Sequence, residues 1–201
     1  MDKIIHQFWN SVEVPQLYDS YRKTWKSYNS GWGYKMWSEQ EVNKEFSGNP
    51  LYDTLCGDNI TPIHRWDIAR IFIIHKFGGI YSDVDTICLQ PIDDMLHNQC
   101  TFLFLPVECK RPHLHHFFFY AVRGSPFLAY ILKHIGKYRQ GYRLGLRQDL
   151  NKYSKVNNST GPIALTSLYH CYADKSAVGL VDATTTDMYI HHHNHKTWQV
   201  L

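Results

Sequence analysis

The sequence predicts an α/β chain, and three stretches carry that prediction. Residues 3–9, Lys3-Ile4-Ile5-His6-Gln7-Phe8-Trp9, read as an opening strand. Residues 63–77 are apolar around most of a helical circumference, the pattern of a helix buried on several sides. Gly78-Gly79 then stops that helix, since glycine takes a left-handed cap without steric cost, and Ile80-Tyr81-Ser82 reads as a short strand. Strands alternating with helices in this way build layered α/β folds.

At 201 residues the chain can bury one sizeable core, so a single domain is expected over 1–201; the length also suits one module of a larger polypeptide. Apolar residues at 44% and charged residues at 19% are ordinary globular values. A formal charge of +3 without any Lys/Arg run argues against a nucleic-acid partner. Aromatic residues at 15% offer stacking faces for sugars and bases as well as core volume. Five cysteines, an odd number with no C-x-x-C pair, read as reduced thiols of a cytosolic protein. Met1-Asp2-Lys3 leads straight into a strand, with neither a signal peptide nor an apolar run of about 18 residues. A cytoplasmic location without a transmembrane anchor is therefore expected, and the sequons within Asn157-Asn158-Ser159-Thr160 carry no weight.

Taken in order, the strand at 3–9 is followed by a helix from Leu17 to Tyr28 and a second strand from Gly33 to Ser38. Ser38-Glu39-Gln40-Glu41 opens a short helix as a capping box, and Ser47-Gly48-Asn49-Pro50 breaks it. Thr61-Pro62 starts the central helix with a hydroxyl N-cap and a proline at the first helical position. Within that helix Asp67 and Arg70 stand three residues apart, on one face. Desolvating an ion pair costs more than it returns, so a pair on so apolar a helix points to function. The strand's period of two then puts Asp83 and Asp85 on the same side. Thr86–Leu89 continues as strand until Pro91, Asp93-Asp94 reads as an acidic helix start, and Thr101–Val107 is the next strand. Lys110–His116 reads as a basic, histidine-rich loop on the acceptor side, and Phe127–Tyr138 as an amphipathic helix. Thr160-Gly161-Pro162 opens a further helix whose free N–H groups can face an anion.

Two adjacent carboxylates repel unless a cation is shared between them. Hard oxygen ligands such as Asp83 and Asp85 suit magnesium or manganese, above all where a diphosphate completes the coordination shell. The plain alternative is a solvated acidic turn. Asp83-Val84-Asp85-Thr86 also resembles the D-x-D-x-T motif of aspartate-nucleophile phosphatases, although Gly78-Gly79 just upstream does not suit that motif.

Asp67-Ile68-Ala69-Arg70, Gly78-Gly79-Ile80-Tyr81 and Asp83-Val84-Asp85-Thr86 together resemble the D-x-x-R…G-G-x-Y-x-D-x-D core of DXD glycosyltransferases. The chain is similar to the group holding the yeast initiating mannosyltransferases and the bacterial capsular-polysaccharide glycosyltransferases, and large clostridial glucosylating toxins share the core. Flanking segments agree in order: Lys3–Trp9 resembles K-I-I-H-Q-x-W, Thr160–Thr166 resembles T-G-P-x-x-L-T, and His192–Trp198 resembles the terminal H-H-x-x-G-S-W. The segment His116–Phe127 also resembles a family segment, with His116 standing where asparagine is usual and Ser125 where histidine is.

The resemblance implies a near-minimal GT-A domain, a mainly parallel twisted sheet flanked by helices, with the nucleotide part at about 1–90 and the acceptor and metal-completing part at about 91–201. It implies manganese (or magnesium) held by Asp83, Asp85 and His192, with His193 as the fallback one residue on; imidazole tilts the choice toward manganese. Phe8, Trp9 and Asn10 lie where ligands sit in such folds, beyond a strand's carboxyl end, although Trp9 equally suits a core. Asp67, Arg70, Tyr81 and Val84 are implied in nucleotide-sugar contact, as are Thr160, Gly161, Pro162, Lys196 and Trp198. Catalysis is assigned to Asp83, Asp85, Arg70 and His116.

The function implied is transfer of a sugar, with retention, from a UDP-sugar (or GDP-sugar) to a glycan or glycoprotein acceptor. Absence of a Golgi anchor suits a bacterial or viral enzyme, the latter in host cytoplasm. The alternative is a non-catalytic protein that binds nucleotide sugar or carbohydrate without turning it over; the phosphatase ranks below it.

Overall fold

A computed structural model describes residues 2–57, 60–96, 100–106, 111–143 and 152–194. Strand β1 (Ile4–Trp9) leads through a short 3-10 turn into helix α1 (Asp19–Tyr28), then β2 (Gly33–Ser38), α2 (Glu39–Phe46) and α3 (Pro50–Cys56). The central helix α4 (Pro62–Phe77) is followed by β3 (Gly79–Ser82), β4 (Thr86–Cys88), β5 (Cys100–Pro106) and β6 (Pro112–Ala121). Helices α5 (Pro126–Arg143), α6 (Lys152–Ser159) and α7 (Pro162–Cys171) precede β7 (Val178–Val181), α8 (Ala183–Tyr189) and β8 (Ile190–His192).

Six strands form one sheet in the order β2-β1-β3-β6-β5-β7. Only β6 runs against the others, so the sheet is mainly parallel, as expected. Strand alternation divides the core. Tyr81 and Phe119 point toward α4, in a cluster with Ile68, Ile71, Phe127 and Leu165. Ile80, Phe118 and Tyr120 point the other way, against Trp25 of α1, Cys88, Leu103 and Ile190. Helix α4 lies within the first cluster, with Ile71, Ile73 and Ile74 fully buried.

The local signals behave as their chemistry dictates. Ser38 and Glu41 form the capping box. Pro62 occupies the first turn of α4, although the Thr61 hydroxyl turns to the His64 ring instead of capping the backbone. Gly78 and Gly79 adopt φ of 69° and 91°. Cys56, Cys88 and Cys100 are buried free thiols.

Three readings change. Asp83 and Asp85 do not sit on a strand: β3 ends at Ser82, and the pair occupies a turn closed by Thr86 N–H donating to Asp83 O at 3.2 Å. The stretch from Pro112 to His116 is strand, not loop, and Lys110 lies outside the described residues. Its aromatic continuation, Phe117–Tyr120, favours a pleated ladder, and β3 and β5 pair Phe119 and Tyr120 from both sides. The helix beginning at Pro126 runs on to Arg143.

β6 carries one irregularity. Its pairing with β5 jumps from Phe102↔Phe119 to Leu103↔His115, leaving His116, Phe117 and Phe118 without β5 partners. The strand bends there, as bulged strands do, and Phe117 O accepts the Asp83 N–H at 2.7 Å.

Two predictions follow from this packing. A Cβ on Gly79 would lie 2.3 Å from Ile4 O at a φ no L-residue favours, so Gly79→Ala should cost about 3 kcal/mol or more in urea unfolding. The second concerns His6, which is fully buried: Nδ1 accepts from Trp37 Nε1 at 3.0 Å, leaving Nε2 to donate to Gly78 O at 3.1 Å. Burial, opposed by the Gly78 carbonyl, pushes its pKa down to about 4. The unfolded chain then binds more protons between that value and the ordinary 6.5, so His6's contribution is complete above this window and falls as pH drops through it. The urea midpoint should drop between pH 7 and pH 4.5, with up to about 3 kcal/mol from this ring. His6→Asn, whose amide oxygen can still take the indole hydrogen, should show a shallower pH dependence.

Candidate active site

Three elements converge where the sheet's strands end. The turn after β3 presents Asp83 and Asp85. Helix α4 supplies Arg70. The three-residue strand β8 pairs antiparallel with β4, placing His192 opposite Thr86. That ladder is extended by His193 N–H donating to Asp85 O at 3.0 Å and Leu89 N–H donating to Tyr189 O at 2.8 Å. A residue from the far end of the chain thus stands beside the paired aspartates.

One ligand atom from each of Asp83, Asp85 and His192 lies within 4.8 Å of the other two. His192 Nε2 is 3.3 Å from Asp85 Oδ1, and its ring stacks on Phe117 with centroids 4.0 Å apart. Two carboxylates and an imidazole on a half-exposed rim fit a divalent cation, and oxygen-rich sites of this composition suit manganese. His193 turns the other way, its ring parallel to Tyr21 at 4.5 Å.

Behind the rim lies a buried charge network. Arg70 Nη1 donates to Asp83 Oδ1 at 2.9 Å and to His116 O at 3.3 Å, while Nη2 is 3.3 Å from Asp67 Oδ1. Tyr81 donates its hydroxyl hydrogen to Asp83 Oδ1 at 2.9 Å and lays its ring 4.9 Å from the guanidinium. Thr160 donates to Asp67 Oδ2 at 2.7 Å. His116 Nε2 stands 3.1 Å from Asp67 Oδ1, at ion-pair distance but off a good hydrogen-bond angle.

The two carboxylates respond oppositely to burial. Desolvation pushes Asp83 above the ordinary carboxylate value; Arg70 opposes the shift and the charge of Asp85 adds to it. Asp67 meets the same desolvation, but His116, Arg70 and the Thr160 hydroxyl outweigh it and bring its carboxyl down to about 2. For Arg70 burial works against the charge, yet Asp83, Tyr81 and Asp67 hold the guanidinium above its usual value.

Two cavities meet at this rim. The first, about 360 Å³, is walled by Phe8, Trp9, Asn10, Tyr81, Val84 and Asp85 among the expected residues. The second, about 450 Å³, takes Asp67, His116, Gly161 and Pro162. Ile63, Arg70, Asp83, His192 and Asn194 border both. Thr160 is fully buried and lines neither, while Lys196 and Trp198 lie outside the described residues.

Sequence reasoning missed Tyr18 and Trp66 in the first cavity and Asn157, Asp187 and His191 in the second. For Trp66 a signal existed, since it precedes Arg70 by four residues on the same helical face. For Asp187 there was none.

Residues 15–102 match the glycosyltransferase sugar-binding region containing DXD motif. Over that stretch the chain is similar to the DXD glycosyltransferases. It is 25% identical over 171 residues to inositol phosphoceramide mannosyltransferase 3 of Schizosaccharomyces pombe, covering 85% of this chain and 45% of that protein. It is 28% identical to glycosyltransferase L373 of Acanthamoeba polyphaga mimivirus, covering 97% of this chain and 82% of that one. The chain spans about half the length of the fission-yeast relatives it matches. Among solved structures, the PaToxG glycosyltransferase superposes with a TM-score of 0.57 at 12% identity, over 85% of this chain and 69% of that one, which shows the shared GT-A fold. A family match that takes in both Asp67 and Asp85 leaves the phosphatase alternative without support. Among the described residues, no helix is long and apolar enough to cross a membrane.

The two neighbouring histidines separate by experiment. His192→Ala should weaken manganese binding by about tenfold or more, whereas His193→Ala should leave it within about threefold, measured by calorimetry with the metal alone.

Proposed function

We propose that this chain transfers a hexose from a nucleotide-diphosphate sugar to a hydroxyl of a glycan-bearing acceptor, with a divalent cation, manganese before magnesium, held by Asp83, Asp85 and His192. One observation carries the reading: those three ligand atoms gather on the rim shared by two cavities, where a diphosphate bridging nucleoside and sugar would lie.

The first cavity suits a nucleoside. Phe8, Trp9, Tyr18 and Trp66 give it aromatic walls on which a base can stack, with Asn10 offering amide hydrogen bonds. Arg70 and Tyr81 both donate to Oδ1 of Asp83, which orients the carboxylate and leaves Oδ2 to face the cation. Bound there, the cation would neutralise the diphosphate and stabilise it as a leaving group. The second cavity, lined by His116, Asn157 and Asp187, would take the sugar and the incoming hydroxyl.

Asp67, the fully desolvated carboxylate of that cavity, is already engaged by Arg70, Thr160 and His116 and is a poor nucleophile. Front-face attack, with the departing phosphate assisting deprotonation of the acceptor, is the proposed route to retention. Both UDP- and GDP-sugars belong among the candidate donors, and the mannosyltransferase names of the fungal relatives put a mannosyl donor among them. A cytoplasmic site of action fits the lack of a membrane-spanning helix among the described residues.

The test is release of nucleotide from UDP-glucose, UDP-galactose, UDP-N-acetylglucosamine and GDP-mannose, with manganese and with chelator. One donor should be turned over only with metal, and Asp85→Asn should lower that rate about hundredfold or more. Metal-dependent binding of a donor with no turnover, acceptors included, would establish the binding-protein alternative instead.

A further inference from the structure

Arg70 poses an electrostatic problem for the proposed metal site. Its guanidinium donates to Asp83 at 2.9 Å, so a fixed positive charge sits immediately behind a carboxylate that has to attract a dication. Left unbalanced in so buried a place, that charge would offset part of the attraction of Asp83 for the metal. The opposite end of the same guanidinium meets Asp67 at 3.3 Å, and Asp67 is 4% exposed.

Asp67 borders the second cavity, but both of its carboxylate oxygens are already engaged by protein groups. Oδ2 takes the Thr160 hydroxyl hydrogen at 2.7 Å; Oδ1 is shared between Arg70 Nη2 and His116 Nε2, at 3.3 and 3.1 Å. These contacts come from three separate elements: α4 itself, the residue just after α6, and the bulged stretch of β6.

We propose that Asp67 is a positioning residue for the metal centre: a buried counter-charge that lets Arg70 orient Asp83 without repelling the cation, held in place by Thr160 and His116. The inference rests on the reading that Asp83, Asp85 and His192 hold a divalent cation. Asp67 is ionised across the working pH range, because its partners keep the carboxyl near 2. Thr160 thereby has a role at the site although it reaches neither cavity.

The test measures manganese affinity by calorimetry on the intact chain, without nucleotide or turnover. Asp67→Asn should weaken manganese about tenfold or more, the scale of outer-shell losses at metal sites. Thr160→Val, which removes only the hydroxyl, should weaken it severalfold, and Thr160→Ser should restore wild-type affinity. A purely structural role would lower the melting temperature of the metal-free chain in Asp67→Asn and Thr160→Val and leave the manganese affinity of the folded fraction unchanged; that result overturns the proposal. If Asp67→Asn does not fold, the Val/Ser pair at Thr160 decides by the same criterion. If the wild-type chain itself binds no manganese, the metal-site reading fails and takes this inference with it. Tight wild-type binding that the variants share sinks this inference alone.

Discussion

A guanidinium between two carboxylates, sealed under an apolar helix, is the constraint to which the rest of the structure answers. Arg70 joins α4 to the turn after β3 through Asp83, to β6 through His116 O, and through Asp67 to Thr160 at the head of α7. A desolvated charge is tolerated only when it is fully paired. Each partner must therefore arrive at a set place, and the elements carrying them are fixed relative to one another. The apolar faces of α4 supply the driving force, since Ile71, Ile73 and Ile74 lose all contact with water, and Arg70 specifies which way the helix faces.

The second requirement is that the chain's far end return to the aspartates. A three-residue ladder between β4 and β8 is a weak tether by itself. It is reinforced from the side: Phe117 stacks on His192, Tyr21 stacks on His193, and Ile190 packs into the core with Cys88 and Trp25. The β6 bulge is what makes the first of these contacts available. Freed from β5, the strand bends to give Phe117 O to the Asp83 N–H and its ring to the histidine.

Much of this was legible in the sequence, and the reason is chemical. Gly78-Gly79 could be read because only glycine accepts those backbone angles, and the capping box at Ser38 because its two hydrogen bonds are local. Asp67 and Arg70 could be placed on one face because helical spacing is rigid. What failed was whatever depends on distant partners. The strand character of Pro112–His115 comes from pairing with β5, which no local pattern records. The turn at Asp83–Asp85 is closed by contacts to β6 and β8, so alternation alone placed the two carboxylates together by the wrong geometry. The aromatic wall at Tyr18 and the place of Asp187 in the second cavity are tertiary facts of the same kind.

These features place tail docking and cation binding on one thermodynamic cycle. In the proposed site His192 would be a ligand only while β8 lies against β4, so any cation that prefers the three-residue set over the two aspartates alone would stabilise the docked β8 segment by the same free energy. The reverse holds as well: contacts that favour docking, such as the stack on Phe117, raise cation affinity without touching the ion. A cation site divided between two distant stretches of sequence would thus be a coupling device as much as a binding site. The short ladder is suited to that task, because a long one would hold the tail in place whether or not the ion was bound.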